Sequence, residues 1–487
     1  MTTPPPRHPD REFDGYLLLP GGREQLCDCR LWVPRSARED AYLELWVPAS
    51  PDVPVHTGPG PLSLRGQVGR ATEITASGVW VREGPATVTP RRLAGRSEIV
   101  LAHVDRLTER HRFVDVTDRN GSPNKCVLTF GLTDCKYLNP ANIVERNYTG
   151  DVKVSIAHLF EVSYLGVGRI AFERHYHSGS RLDIEGTIVT SSLVANLIDP
   201  SAALTNEVEP ARERVSDVCL LASLAARHRV DVIEMTYANE IELCRTWLNP
   251  LSRPRPTAQT EWSDDVLVSV ADFVDYFGFA SANFCRATAS DKQRVREAIY
   301  AVAPVFPLGG VEGAFLAQFS ALEGLIRFGQ PEVAGCATLL DADRWKVAKR
   351  EVKRAIDSLG REFSKEDKDS MQQKVGELNR PPLRRALQSF LEAKGVVVTD
   401  LWPIFGSQEK PGLYEIRNRL AHGNRPADES LGALGVARIH LSLILERCTL
   451  STLGFDVSRS RAIGPHTNAD ASKITELQAL LRRTVFD

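Results

Sequence analysis

Leu413-Tyr414-Glu415-Ile416-Arg417-Asn418-Arg419-Leu420-Ala421-His422-Gly423 is the stretch whose period sets the character of the C-terminal part of the chain. A helix turns about 100° per residue. On that wheel Leu413, Ile416 and Leu420 form one apolar arc, with Tyr414 and Ala421 at its edge. Gly423-Asn424 and then Pro426 give the stop signals of a helix. Asn418 and His422 become i,i+4 neighbours, Glu415 falls on the side of His422, and Arg417 lies inside the arc.

The same period extends on both sides. Phe315, Phe319, Leu322 and Ile326 fall at i, i+4, i+7 and i+11, a core-facing stripe. Trp345, Ala348, Val352, Ile356 and Leu359 repeat the pattern and predict a second core-facing helix. Residues 383–391 and 431–450 add two more, so five helical patterns within about 150 residues predict a helical bundle. Upstream, 218–226 reads as a buried helix, 230–247 as a helix or a strand–helix mixture, and 266–277 and 290–303 as helices. Pro250, Pro254 and Pro256 interrupt this region, and SRPRPTAQTEWSDD (252–265) reads as a surface linker.

Before residue 200 the period is that of strands. Segments 29–33, 42–47 and 98–102 alternate or run apolar over strand lengths between Gly, Pro and Asp, and 125–130, 152–156 and 181–189 continue the pattern. They predict a β-sandwich or an irregular β-barrel. The expected class is therefore α+β and multidomain, a β-rich N-terminal domain followed by a C-terminal all-α bundle. The expected divisions are 1–200 (β-rich, sensing or regulatory), 201–305 (a mixed, mostly helical connector) and 306–487 (the bundle).

The length of 487 residues suits roughly three domains. Lys+Arg 60 against Asp+Glu 62 leaves a formal charge of -2, which excludes a polybasic coat protein and confines any nucleic-acid contact to a local patch. No stretch approaches the roughly 18 apolar residues of a membrane span. The polar, proline-rich start MTTPPPRHPDREF lacks the apolar region of a secretory signal. Nine scattered cysteines suit a reducing cytoplasm. Cys27-x-Cys29 supplies half a metal site, but Cys126 and Cys135 do not complete it at zinc-finger spacing. His175-Tyr176-His177 places both histidines on one face of a strand, which reads as a surface strand rather than a two-His metal site. No Walker A loop, HExxH or GxSxG string is present, and neither a metal nor a cofactor is expected.

Two residues of the opening stretch have chemical weight. A guanidinium cannot be stripped of water without a carboxylate, a phosphate or an interface. Arg417 therefore either snorkels or pairs with a core acid such as Glu323, or it serves an anionic ligand. His422, in the last turn, sits where the helix dipole favours positive charge. It is either a C-terminal cap or a general acid or base.

The string RNRLAHG (417–423) resembles the Arg-x(4–6)-His motif of HEPN domains, and most closely that of the Apea-like HEPN group. Phe319-Ser320-Ala321-Leu322-Glu323-Gly324-Leu325 is similar to the first helix of that group, and the resemblance spans roughly residues 305–455. It implies a metal-independent endoribonuclease, of the kind found in toxins and anti-phage defence, that dimerises through the bundle with two motifs facing one another. Carried over, Arg417, Asn418 and His422 are the catalytic set. The implied substrate is RNA, such as tRNA, cleaved by 2′-OH attack to leave a 2′,3′-cyclic phosphate. The N-terminal domain would then answer to a phage or cellular trigger. In the alternative the bundle is a non-catalytic module that binds RNA or mediates dimerisation.

Ribonuclease chemistry needs a base for the 2′-OH, an acid for the leaving oxygen and a cation for the phosphorane. Imidazole can do either of the first two and a guanidinium fork the third, and the Asn418 amide is placed to orient His422 or a phosphate oxygen. Arg417 and His422 point about 140° apart on one helix, which suits a site composed from two. A further polyanion feature is Lys346, Lys349, Arg350 and Lys353 at i, i+3, i+4 and i+7, with Arg354 beside them. Such a stripe either tracks RNA phosphates or is a solvated face laced by Glu351 and Asp343. Arg380, Arg384 and Arg385 form a weaker cluster.

Overall fold

The computed structural model describes residues 8–19, 22–33, 41–48, 62–88, 97–113, 127–132, 144–146, 152–154, 160–164, 168–180, 187–198, 208–239, 242–248, 266–303, 310–328, 338–360, 362–379, 381–407, 409–424, 426–463 and 465–482. The proposed linker 252–265, Cys126, Cys135, Cys336, Arg380 and the first seven residues lie outside that set. The chain is α+β and multidomain, an N-terminal antiparallel β-sheet followed by a helical region. Its two compact units are Met1–Ala222 with His228–Asp264, and Ser223–Arg227 with Asp265–Asp487.

Alternating burial builds the first unit. In β1 (Arg11–Leu18) Phe13 and Leu17 are buried, and in β2 (Glu24–Trp32) Cys27, Cys29 and Leu31 are buried, while Glu12, Asp14 and Tyr16 are exposed and Asp28 and Arg30 half-buried. β3 (Tyr42–Pro48), β4 (Leu62–Val68), β5 (Thr72–Val88) and β6 (Ser97–Arg112) complete a ring. The antiparallel pairings run β6–β3–β2–β1–β4–β5 and return from β5 to β6. This six-stranded barrel has no free edge within the ring. Its interior is filled by Phe13, Leu17, Leu31, Leu43, Leu45, Leu64, Ile74, Val104 and Leu107 among others. Gly66 faces Phe13, and a Cβ there would collide with the ring, so glycine admits the aromatic side chain to the interior.

β6 is long enough to hold two strands along one edge. β5 pairs with it over residues 97–111, while its other edge pairs with β3 through residues 97–103 and with β14 (Glu242–Leu248) through residues 106–112. From β14 the sheet runs to β13 (Val232–Ala238), β7 (Val127–Leu132), β12 (Thr187–Ile198), β11 (Gly168–Ser180) and β10 (Phe160–Tyr164). β8 (Val144–Arg146) and β9 (Val152–Val154) form a separate pair. Residues 230–247, read as a helix or a mixture, are instead a hairpin. The Asn239 side chain accepts from the Glu242 backbone N–H at 2.7 Å and turns the chain between two strands. α1 (Val208–Ala226) carries the buried run at 218–226.

The second unit contains α2 (Phe273–Arg286), α3 (Ala289–Val302), α4 (Gly310–Leu325), α5 (Ala342–Asp357), α6 (Lys365–Lys374), α7 (Leu383–Lys394), α8 (Leu413–Ala421), α9 (Leu431–Thr452) and α10 (Pro465–Leu481). α2 begins at Phe273 rather than 266 because Ser269 and Asp272 make a hydrogen-bonded turn first. α9 runs through the core and packs against α3, α4, α7 and α10, and α4 also packs on α3 and α8. Phe315, Phe319, Leu322 and Ile326 are all buried there, as their spacing predicts. α5 differs from expectation. None of its residues is buried, and Trp345, Ala348, Val352, Ile356 and Leu359 are only half-buried, because α5 packs against α6 and the 3-10 turn at 375–379. Among the described residues no helix is long and apolar enough to cross a membrane.

Candidate functional site

α8 is set in place from its first turn. Its early N–H groups need partners outside the helix. Leu413 N–H donates to the Pro403 carbonyl at 3.0 Å and Tyr414 N–H to that of Ile404 at 2.8 Å. Glu415 accepts from the backbone N–H groups of Gly406 at 2.8 Å and Gly412 at 2.9 Å. Glu415, expected near His422, is therefore a capping residue tied to the preceding loop. Trp402, wholly buried, donates its indole N–H to the Pro411 carbonyl at 3.1 Å and holds that loop. The Tyr414 ring lies between Phe405 and Phe319, at centroid distances of 5.5 and 6.3 Å.

With Leu413, Ile416 and Leu420 buried, the rotation of α8 is set and Arg417 is directed at α4. Its guanidinium donates to Glu323 Oε2 at 3.1 Å and to the Asn418 side-chain oxygen at 3.1 Å. It also lies over the Phe319 ring, 5.9 Å from the centroid. The side chain keeps 33% of its exposure and Glu323 keeps 25%, so solvent reaches the pair. Among the described residues, two of the five guanidinium donors are engaged. Asn418 thus steers Arg417 through its side chain, and its backbone carbonyl receives the His422 N–H at 3.1 Å.

His422 is the C-cap of α8 and is exposed. The helix ends there because Gly423 adopts φ +85°, the left-handed region that glycine enters without strain. Ala421, expected at the edge of the apolar arc, is exposed. The structure therefore brings Arg417, Asn418 and Glu323 together, and leaves His422 one helical turn farther along, facing solvent.

The basic stripe on α5 is a second assembly. Lys346, Lys349, Arg350, Lys353 and Arg354, with Asp357 at the end, line a shallow hollow of about 390 Å³ between their own side chains. Glu351 accepts from Arg354 at 2.8 Å and faces Arg350 at 3.8 Å, and Asp341 faces Arg344 at 3.6 Å. Lys346, Lys349 and Lys353 have no ion pair among the described residues. Five like-charge pairs at spacing of three or four residues result: 346–349, 346–350, 349–353, 350–353 and 350–354. Each weakens an isolated helix by roughly 0.2–0.5 kcal/mol. In the weaker arginine cluster Arg384 stacks on Phe405, 4.9 Å from the ring centroid.

The two barrel cysteines have a structural explanation. Cys27 and Cys29 share one face of β2, with their sulfurs 3.5 Å apart in the core, and Cys27 donates to the Gly15 carbonyl at 3.3 Å. The hydrogen bond to Cys27 and burial push the Cys29 thiol far above the ordinary range. That environment keeps the Cys29 thiol protonated, whereas metal binding needs the thiolate. Sequence reasoning missed Arg447. It is buried in α9, forks onto Asp400 at 2.6 Å through both terminal nitrogens, and donates to the Ala462 and Val397 carbonyls. No periodicity signals such an arginine, since its partners come from distant turns.

No family model, curated protein or solved structure matches the chain.

Proposed function

We propose that the C-terminal unit is a metal-independent endoribonuclease of the HEPN type, with Arg417, Asn418 and His422 as its reactive set. The observation that carries the reading is the placement of Arg417. A guanidinium that is part-exposed, steered by Glu323 and Asn418, and still has unused donors is pre-oriented for a phosphate. The exposed His422 at the C-terminus of the same helix is accessible for proton transfer to or from a ribose hydroxyl or a leaving 5′-oxygen. Cleavage then proceeds by attack of the 2′-OH on the adjacent phosphorus. The 5′-oxygen departs with a proton and a 2′,3′-cyclic phosphate remains, so DNA is spared. On an ideal helix the two positions are about 140° apart, and a homodimer that juxtaposes two copies of α8 makes them converge on one phosphodiester. In this reading the protein is a cytoplasmic defence or toxin effector, and the β-rich unit answers to a phage or cellular trigger.

The second reading is a non-catalytic RNA-binding or dimerisation module. The Glu323–Arg417 pair favours it, because a helix-to-helix ion pair of this kind also serves as a scaffold. Purified protein incubated with tRNA in EDTA separates the two. The nuclease reading predicts cleavage by the wild type and at least a hundredfold loss in both Arg417→Ala and His422→Ala. Cleavage that survives both substitutions removes these residues from the mechanism.

A further inference from the structure

We propose that α5 is a docking rail for a single strand of RNA, gripped through its phosphates and not through its bases. The identity of the polyanion rests on the nuclease reading; the rail itself rests on the helix. Lys346, Lys349, Arg350, Lys353 and Arg354 line one open, shallow hollow on a single face of α5. They recur once per helical turn, a rise of about 5.4 Å, so a flexible strand can present one phosphate to each turn. The acids nearby are already engaged. Glu351 holds Arg354 and Arg350, and Asp357 accepts from the Gln372 side chain. Three lysines remain without a carboxylate among the described residues, and an anionic strand relieves their mutual repulsion.

The architecture favours a nucleic acid over a lipid surface. A helix that lies in a membrane interface commits its apolar face to the lipid. In α5 the apolar stripe of Trp345, Ala348, Val352 and Ile356 is half-buried, and the helix packs against α6 and the turn at 375–379. The charged face is the one left open to solvent. Backbone contact carries affinity without sequence preference, which gives a nuclease a hold on its substrate away from the scissile bond.

The test is fluorescence anisotropy with a labelled 20-nucleotide oligouridylate, in EDTA, over a series of salt concentrations, with full-length protein carrying His422→Ala. Three phosphate contacts, one to each turn, predict a slope of log affinity against log salt of about -2, at about 0.7 per contact on a single strand. Adding Lys346→Gln, Lys349→Gln and Lys353→Gln together is expected to reduce the slope by about 2 and to weaken binding at low salt at least tenfold, with the circular dichroism spectrum unchanged. Glu351→Gln, which releases Arg354 and Arg350, is expected to tighten binding severalfold. A 2′-deoxy strand of the same length should bind as well as RNA.

Unchanged affinity and slope in the triple variant overturn the rail. So does lysine-dependent binding to phosphatidylserine vesicles with unaltered RNA affinity. Binding is read without cleavage, so the two proposals fail separately. A wild type that binds through α5 and cleaves nothing removes the nuclease and leaves the rail. A wild type that cleaves, while the triple variant binds normally, removes the rail and leaves the nuclease.

Discussion

Arg417 illustrates how a residue's neighbours determine which of its capacities are used. Its position within an apolar arc already required an anionic or solvent-exposed partner, and Glu323 was a candidate from its place on the preceding helix pattern. The structure supplies that contact, together with Asn418 as a second acceptor. Part-exposure keeps the energy modest. Glu323→Gln is expected to lower unfolding free energy by about 1 kcal/mol, read as a small shift of the urea midpoint, and to cut RNA cleavage far more than that shift explains. Arg447 behaves oppositely. The Arg447 side chain is itself buried, and it makes a bidentate contact with the half-buried Asp400 and bonds to two carbonyls, so Arg447→Ala is expected to cost about 1.5–3 kcal/mol. The bond from Arg447, reinforced by its charge, holds the Asp400 carboxyl below the ordinary carboxylate range. A depressed folded-state value means that the contribution is fully present above the unfolded value of about 3.9 and is lost as pH falls through the lower folded value. Urea midpoints measured down through that acid range should fall for the wild type, and Asp400→Asn should flatten that part of the profile.

At the scale of elements, burial separates helices that look alike in sequence. α4 and α5 both carry an apolar stripe, yet α4 packs on α3, α8 and α9 while α5 meets α6 and a short turn. Periodicity reports which face is apolar and says nothing of how many partners will cover it. Hence the stripe on α4 was legible as core and that on α5 was not. Truncations should show the contrast in urea unfolding. Leu441→Ala, in the wholly buried part of α9, is expected to cost about 2–5 kcal/mol, and Val352→Ala on α5 under about 1 kcal/mol. α8 was legible for another reason: its apolar arc, glycine stop and downstream proline all agreed. The role of Glu415 was hidden, because the N–H groups it accepts belong to Gly406 and Gly412, and only the folded loop brings Gly406 there.

Across the whole molecule, strand content was readable from alternation, while the choice between a sandwich and a barrel was not. Closure depends on β6 meeting both β3 and β5, and the same strand carries the sheet onward through β14. These pairings join residues far apart in the chain, and 230–247 gave no clear period of either kind. The barrel makes its own prediction. Cys27 and Cys29 are buried in the ring, so iodoacetamide should label them, by mass spectrometry, only under conditions that open the barrel. Labelling in native buffer at the rate of an exposed thiol would contradict the barrel interior.

The central claim concerns the bond-breaking step, and the chemistry of the new 3′ ends tests it most directly. With tRNA cleaved in EDTA, the account predicts 2′,3′-cyclic phosphate ends and uncut sites wherever the scissile nucleotide is 2′-deoxy. Ends bearing a 3′-hydroxyl, or cleavage beside a 2′-deoxy nucleotide, would contradict it.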